Sequence, residues 1–143
     1  MSFLDEFVTI GTNDIEVVGD VYVKVIGHKS DMRIIQHPVR YDISGVTTIV
    51  PKGFETNYAS TPKFARWYFD NDQPESIRAS VWHDYAYSRS GVLFDYSTGV
   101  YVEYTREECD AIFRDICIAD GMRPAKAWAG YLAVRMGGSS HWG

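Results

Sequence analysis

The hydrophobic period of this chain passes from that of strands in its first half to that of helices, with one hairpin between them, in its second, and that order constrains how its layers are built. Over residues 17–26, Val21, Val23 and Val25 alternate with Tyr22 and Lys24, the two-residue period of a strand. Residues 32–35, 39–43 and 46–50 are read as further strands, interrupted at His37-Pro38 and ended by Pro51, because proline cannot donate to a β-ladder. From Pro74 onward the pattern is mainly helical. Pro74 suits the first position of a helix that runs to about Ser88, with Gly91 just past its end. Thr105-Arg106-Glu107-Glu108 spells a capping box, opening a helix that reaches about Asp120 and stops at Gly121. Pro124 opens a last helix over 125–136, closed by Gly137-Gly138. Between these helices, residues 92–104 form a hairpin that turns at Ser97-Thr98-Gly99. Residues 51–62, PKGFETNYASTP, are a loop, followed by a short aromatic helix over 63–69 and a turn over 70–74. Strands first and helices afterward is the α+β pattern. The expected fold is a small N-terminal antiparallel β-sheet followed by a cluster of three to four helices with an inserted β-hairpin.

A chain of 143 residues fits a single domain, 1–143, and it contains no repeat or linker. The formal charge of −5 and the lack of a Lys/Arg stripe argue against nucleic acid as a partner. No apolar stretch approaches the roughly 20 residues of a membrane span. Asp5 and Glu6 stand where a signal peptide would carry basic residues, so none is expected. Ten Tyr and four Trp exceed what a small core holds, and these residues are favoured at interfaces. Cys109 and Cys117 lie on one expected helix, about 12 Å apart along its axis. A disulfide needs Cα atoms within about 7 Å, so both are expected as free, buried thiols.

The chemistry concentrates on the helix that carries His83 and Asp84. On a helical wheel, Ile77, Val81, Tyr85, Trp82, Ala86 and Ala79 cover an apolar arc, and Arg78 must reach out past its neighbours. The remaining arc holds His83, Tyr87, Ser80 and Asp84, with no Lys or Glu. Short directional groups in place of long charged ones indicate a face that lines a polar pocket. On the next helix Asp110 sits at the edge of the stripe of Ile112, Ile116, Cys109, Phe113 and Cys117, while Asp115 falls on the opposite side and is expected in solvent. His83, Asp84 and Asp110 are therefore the candidate catalytic and metal-ligating residues. One imidazole and two carboxylates suit a single divalent metal with positions left for water, and a metal-bound water is a nucleophile near neutral pH. Without metal, either carboxylate can orient His83 as a general base. A His bonded to an Asp of a neighbouring helix is equally a common structural pair, and the three alternatives stand open. The HD-type metal phosphohydrolases need a further upstream histidine, and His28 and His37 fall in expected strands or loops. Ser60 lies in NYASTP rather than G-x-S-x-G, which makes it a helix entry more simply than a nucleophile.

Taken in order, VPKGFETNYASTP, HDYAY, CDAIF and GYLAVRMGG resemble the phage and prophage family termed domain of unknown function 1353, over about residues 46–138. The resemblance marks Gly53, Phe54, Thr56, Ala59, Ser60 and Pro62 in the loop, then His83, Asp84 and Tyr87, then Asp110 and Phe113, then Tyr131, Arg135 and Gly138. It implies a phage origin but no reaction. Asn57 stands where the family usually has an acid, so Asn57, Ser60 and Tyr87 join the site as binding candidates, with Asn57 weakening any metal or proton chemistry there. Two functions follow as expectations. One is a small hydrolase with a His/Asp metal or acid–base site, acting in the host cytoplasm or on the cell envelope. The other is a structural or accessory virion component of tail or capsid, with other virion proteins or its own copies as partners and a degenerate site.

Overall fold

The computed structural model describes residues 15–18, 23–26, 29–56 and 74–143. The strands are β1 (Ile15–Val18), β2 (Val23–Ile26), β3 (Lys29–Ile35), β4 (Val39–Ile43), β5 (Val46–Val50) and β6 (Glu55–Thr56). Helix α1 (Pro74–Ser88) follows, then the hairpin β7 (Val92–Asp95) and β8 (Val100–Glu103), then α2 (Arg106–Ala119) and α3 (Pro124–Gly137), and a 3-10 turn at Ser139–His141 closes the chain. The architecture is α+β, with small antiparallel sheets preceding three helices among the described residues.

The helices lie where their end signals place them. Thr105 caps α2 by accepting from the Glu108 N–H, and the Glu108 carboxylate accepts from the Thr105 N–H in return. Pro124 occupies the first turn of α3. The sheets depart more from expectation. Residues 17–26 do not form one strand: β1 pairs with β4, whereas β2 pairs with β3, in two separate three-stranded sheets ordered β1-β4-β5 and β2-β3-β6. Glu55 and Thr56, inside the expected loop, add a two-residue strand against Ile34 and Arg33. The expected helix over 63–69 and the turn over 70–73 lie outside the described residues.

One core joins these layers. β3, β4 and β5 contribute Ile35, Val39, Tyr41, Ile43 and Val50, α1 contributes Val81, Trp82 and Ala86, and α2 contributes Ile112, Phe113 and Ile116. Polar contacts set the angle of α1 on the sheet: the Tyr41 hydroxyl donates to the Arg78 carbonyl at 2.6 Å, and the Trp82 indole N–H donates to Thr48 Oγ1 at 3.3 Å. Arg78 reaches outward, as its place on the wheel requires, and grips Asp120 with two nitrogens at 2.7 and 3.0 Å. Cys109 and Cys117 are free and buried, and burial pushes both thiols well above their ordinary range.

The hairpin is tied to the β4–β5 turn through Asp95. Its carboxylate accepts from the N–H and hydroxyl of Ser97, the hydroxyl of Thr98 and the N–H of Thr47, at 2.6 to 3.0 Å. Burial alone would raise this carboxyl, but the four donated bonds outweigh it and hold the pKa at about 2. The unfolded chain therefore takes up this proton first as pH falls, so the contribution of Asp95 is complete above about pH 5 and is lost between about pH 4 and 2. Asp95→Asn should cost about 1–3 kcal/mol at pH 7 and flatten the acid limb of the stability profile, as read by urea unfolding across pH. An unchanged acid limb would show that the ties do not depend on the charge.

Candidate functional site

Helix α1 turns its short polar face inward. His83 is fully buried and Tyr87 almost so, and Ser80 is buried as well. From α2, Asp110 is also fully buried. The two helices pack directly on one another, and their polar groups meet at the Asp110 carboxylate. Oδ1 contacts His83 Nε2 at 2.6 Å and accepts from the Tyr87 hydroxyl at 2.6 Å. A carboxylate only accepts, so Nε2 carries the hydrogen in this contact. Oδ2 accepts from Arg135 Nη1 of α3 at 2.8 Å. Arg106, one turn before Asp110, lies 3.7 Å from Oδ2 and donates to the Tyr87 hydroxyl and to the carbonyls of Val134 and Arg135. One carboxylate thus joins all three helices.

Aromatic rings wall this node. The His83 ring lies 4.2 Å from Tyr87 and 5.1 Å from Phe113, centroid to centroid. Trp142 meets Tyr87 edge-on at 5.1 Å, and the N–H of Gly143 donates to the Tyr87 carbonyl. Gly138 passes so close that an added Cβ would stand 2.8 Å from the Tyr87 hydroxyl and 2.6 Å from the Val134 carbonyl oxygen. Burial, and then the charge of Asp110 and the bond to it, raise the Tyr87 phenol far above its ordinary range, with Arg106 opposing. Tyr87 is therefore a fixed donor and not a titrating group at neutral pH.

The expected trio does not share one point. His83 and Asp110 meet, but Asp84 is only half-buried and accepts instead from the hydroxyl of Thr56 on β6. Successive residues on a helix point about 100° apart, so His83 and Asp84 address different neighbours. Among the described residues, no group of three or more His, Cys, Asp and Glu side chains is placed to hold a metal ion. Asn57 and Ser60 lie outside the described residues.

Two further groups were not anticipated. Arg106 could have been found, because it stands four residues before Asp110, the spacing at which helix side chains pair. Asp115 is a correction: it is 4% exposed, not solvated. Its Oδ1 accepts from Arg114 Nε at 3.0 Å, and the Arg114 guanidinium lies 4.1 Å from the Trp128 ring centroid and 4.9 Å from that of Tyr131. Residues 109–117 of α2 are all buried, so this stretch of the helix has no solvated side for Asp115 to occupy.

Fold and site together define a small α+β protein whose helices are locked through one buried carboxylate. The chain belongs to the family described as Protein of unknown function (DUF1353), whose model matches residues 33–134. No curated protein and no solved structure matches the chain. Part of the resemblance seen in sequence falls on the node: His83, Tyr87, Asp110, Phe113, Arg135 and Gly138 all touch it.

Proposed function

We propose that this protein is an accessory component of a phage particle, a binding or assembly protein in which the Asp110 node is an internal tie rather than a hydrolytic centre. One observation carries the proposal: both oxygens of Asp110 are engaged by protein donors from α1 and α3, with a second guanidinium behind them. Among the described residues, protein donors occupy both oxygens of the carboxylate. The phage setting rests on the family resemblance. The surface is consistent with a role in contact, since Tyr96, Tyr101, Trp128, Leu132 and Met136 are all exposed.

The test is to purify particles from a lysate of cells producing the phage that carries this gene, and to quantify the chain by mass spectrometry. The chain should co-purify with particles through a density gradient in a fixed ratio to the capsid protein. Recovery only in the soluble lysate would overturn the proposal. The competing acid–base function draws on the 2.6 Å contact by which Asp110 would hold His83 in one orientation. A folded His83→Gln variant that lost a hydrolytic activity of the native chain would establish that function instead.

A further inference from the structure

Beside the end of α1, away from the Asp110 node, the helix and the β7–β8 hairpin enclose a shallow cavity of about 290 Å³. Tyr85, Arg89, Val92, Phe94, Tyr96 and Tyr101 line it, and none of these belongs to the node. Four aromatic rings and one guanidinium are an unusual wall for a surface hollow. Tyr96 and Tyr101 are 55% and 71% exposed, although burying such rings is worth far more than leaving them in water.

The rings are held in place. Phe94 meets Tyr96 and Tyr101 edge-on, at 4.9 and 5.2 Å between centroids. Phe54 meets Tyr85 edge-on at 5.2 Å, and the Arg89 guanidinium lies 5.1 Å from the centroid of the Tyr85 ring. Asp95 and its four hydrogen bonds fix the backbone next to Tyr96, whose own N–H donates to the Thr47 carbonyl. The wall therefore needs little ordering on binding, and that keeps the entropic cost of association low.

The chemistry left open in this wall is specific. The phenol oxygens of Tyr85, Tyr96 and Tyr101 make no hydrogen bond among the described residues, and Arg89 has no ion-pair partner among them. A ligand for this wall offers a ring whose polarised C–H groups lie on an aromatic face, hydroxyls for the phenols, and one acidic group for the guanidinium. The volume lies just under the usual range for ligand pockets and so favours a small ligand. A net charge of −5 disfavours polyanions but tolerates a singly charged ligand. We propose that this cavity binds an anionic saccharide, a pyranose ring that carries a carboxylate or a phosphate.

The full chain is to be titrated with methyl β-glucuronide, with glucose 6-phosphate and with neutral methyl β-glucoside, followed by NMR shifts of the Tyr85, Arg89, Tyr96 and Tyr101 resonances. At least one anionic sugar should bind in the millimolar range or tighter and at least about tenfold more tightly than the glucoside. The tighter of the two anions then identifies the acid. Arg89→Gln should erase the preference for the anion, and Tyr101→Ala should weaken all sugars by about tenfold without lowering the melting temperature. No shift at these residues up to about 20 mM sugar, or undiminished binding by Tyr101→Ala, would overturn the proposal. Retention of the chain on particles through Tyr96 and Tyr101 with no sugar binding would overturn it too, and would make the wall a protein contact.

Discussion

Asp110→Asn should lower the stability of the fold by about 3–5 kcal/mol and the melting temperature by about 10 °C. The two side chains have the same shape, so the cost comes from the donor count. The amide oxygen can still accept from His83 and Tyr87, as Oδ1 does now. The amide nitrogen, however, takes the place of Oδ2 and presents hydrogens to Arg135 Nη1 at 2.8 Å. A donor then faces a donor, and the charge that Arg135 and Arg106 compensate is gone. Both arginines keep about a quarter of their side chains in solvent and can turn outward, which limits the loss, but His83 and Tyr87 cannot. Asp84→Asn is the control. Asp84 is half-buried with Thr56 as its hydroxyl partner, and its loss should cost about 1 kcal/mol. Urea unfolding of the three proteins measures the order. A neutral or stabilising Asp110→Asn is the behaviour of a residue kept for chemistry at the expense of stability, and it would turn the assignment back toward an acid–base centre.

Helix boundaries were legible because their determinants are local. Pro74, the Thr105–Glu108 box, Pro124 and the glycines after each helix act within one turn of the residues they delimit. Strand partnership is not local. Nothing in residues 15–26 says that Ile15–Val18 will pair with β4 while Val23–Ile26 pairs with β3, because an alternating pattern specifies a face and not a neighbour. Glu55–Thr56 is shorter than any periodic signal, and its strand exists because β3 offers an edge. The site divides in the same way. The lack of Lys and Glu around His83, Tyr87, Ser80 and Asp84 announced a polar face turned inward, and the first three are buried while Asp84 is only half-buried. The helical step already turns Asp84 away from His83, but that Asp110 reaches His83 depends on how α1 and α2 pack. Arg135 carries the resemblance, but its role appears only once α3 lies beside α2.

The C-terminal end of α1 leaves the chain little latitude, and Gly91→Ala should cost about 2–5 kcal/mol, the second large effect expected. The helix ends with the Gly91 N–H donating to the Ala86 carbonyl at 2.9 Å, and the Gly91 carbonyl then accepts from the Tyr104 N–H at 2.8 Å. Gly91 thus closes α1 and anchors the end of the hairpin at once. Its φ is +78°, a conformation that costs about 1–2 kcal/mol for a residue with a Cβ. The added carbon would also stand 1.9 Å from the Tyr104 carbonyl oxygen and 2.9 Å from Cη2 of Trp142. The indole could move, but the carbonyl belongs to the backbone that leads into α2, so the hairpin must shift at a further cost of about 1–3 kcal/mol. Gly99 separates the two contributions. Its φ is +77°, but a Cβ there would meet nothing within 4 Å, so Gly99→Ala should lose only the conformational part. Denaturant unfolding of both variants should show Gly91→Ala as the more damaging by about 1–3 kcal/mol. Removing the ring with Trp142→Ala in the Gly91→Ala background should not restore it, because the nearer obstacle is the carbonyl of Tyr104. Equal losses at the two glycines, or rescue by Trp142→Ala, would show that the approach of β8 to the end of α1 is looser than these distances require.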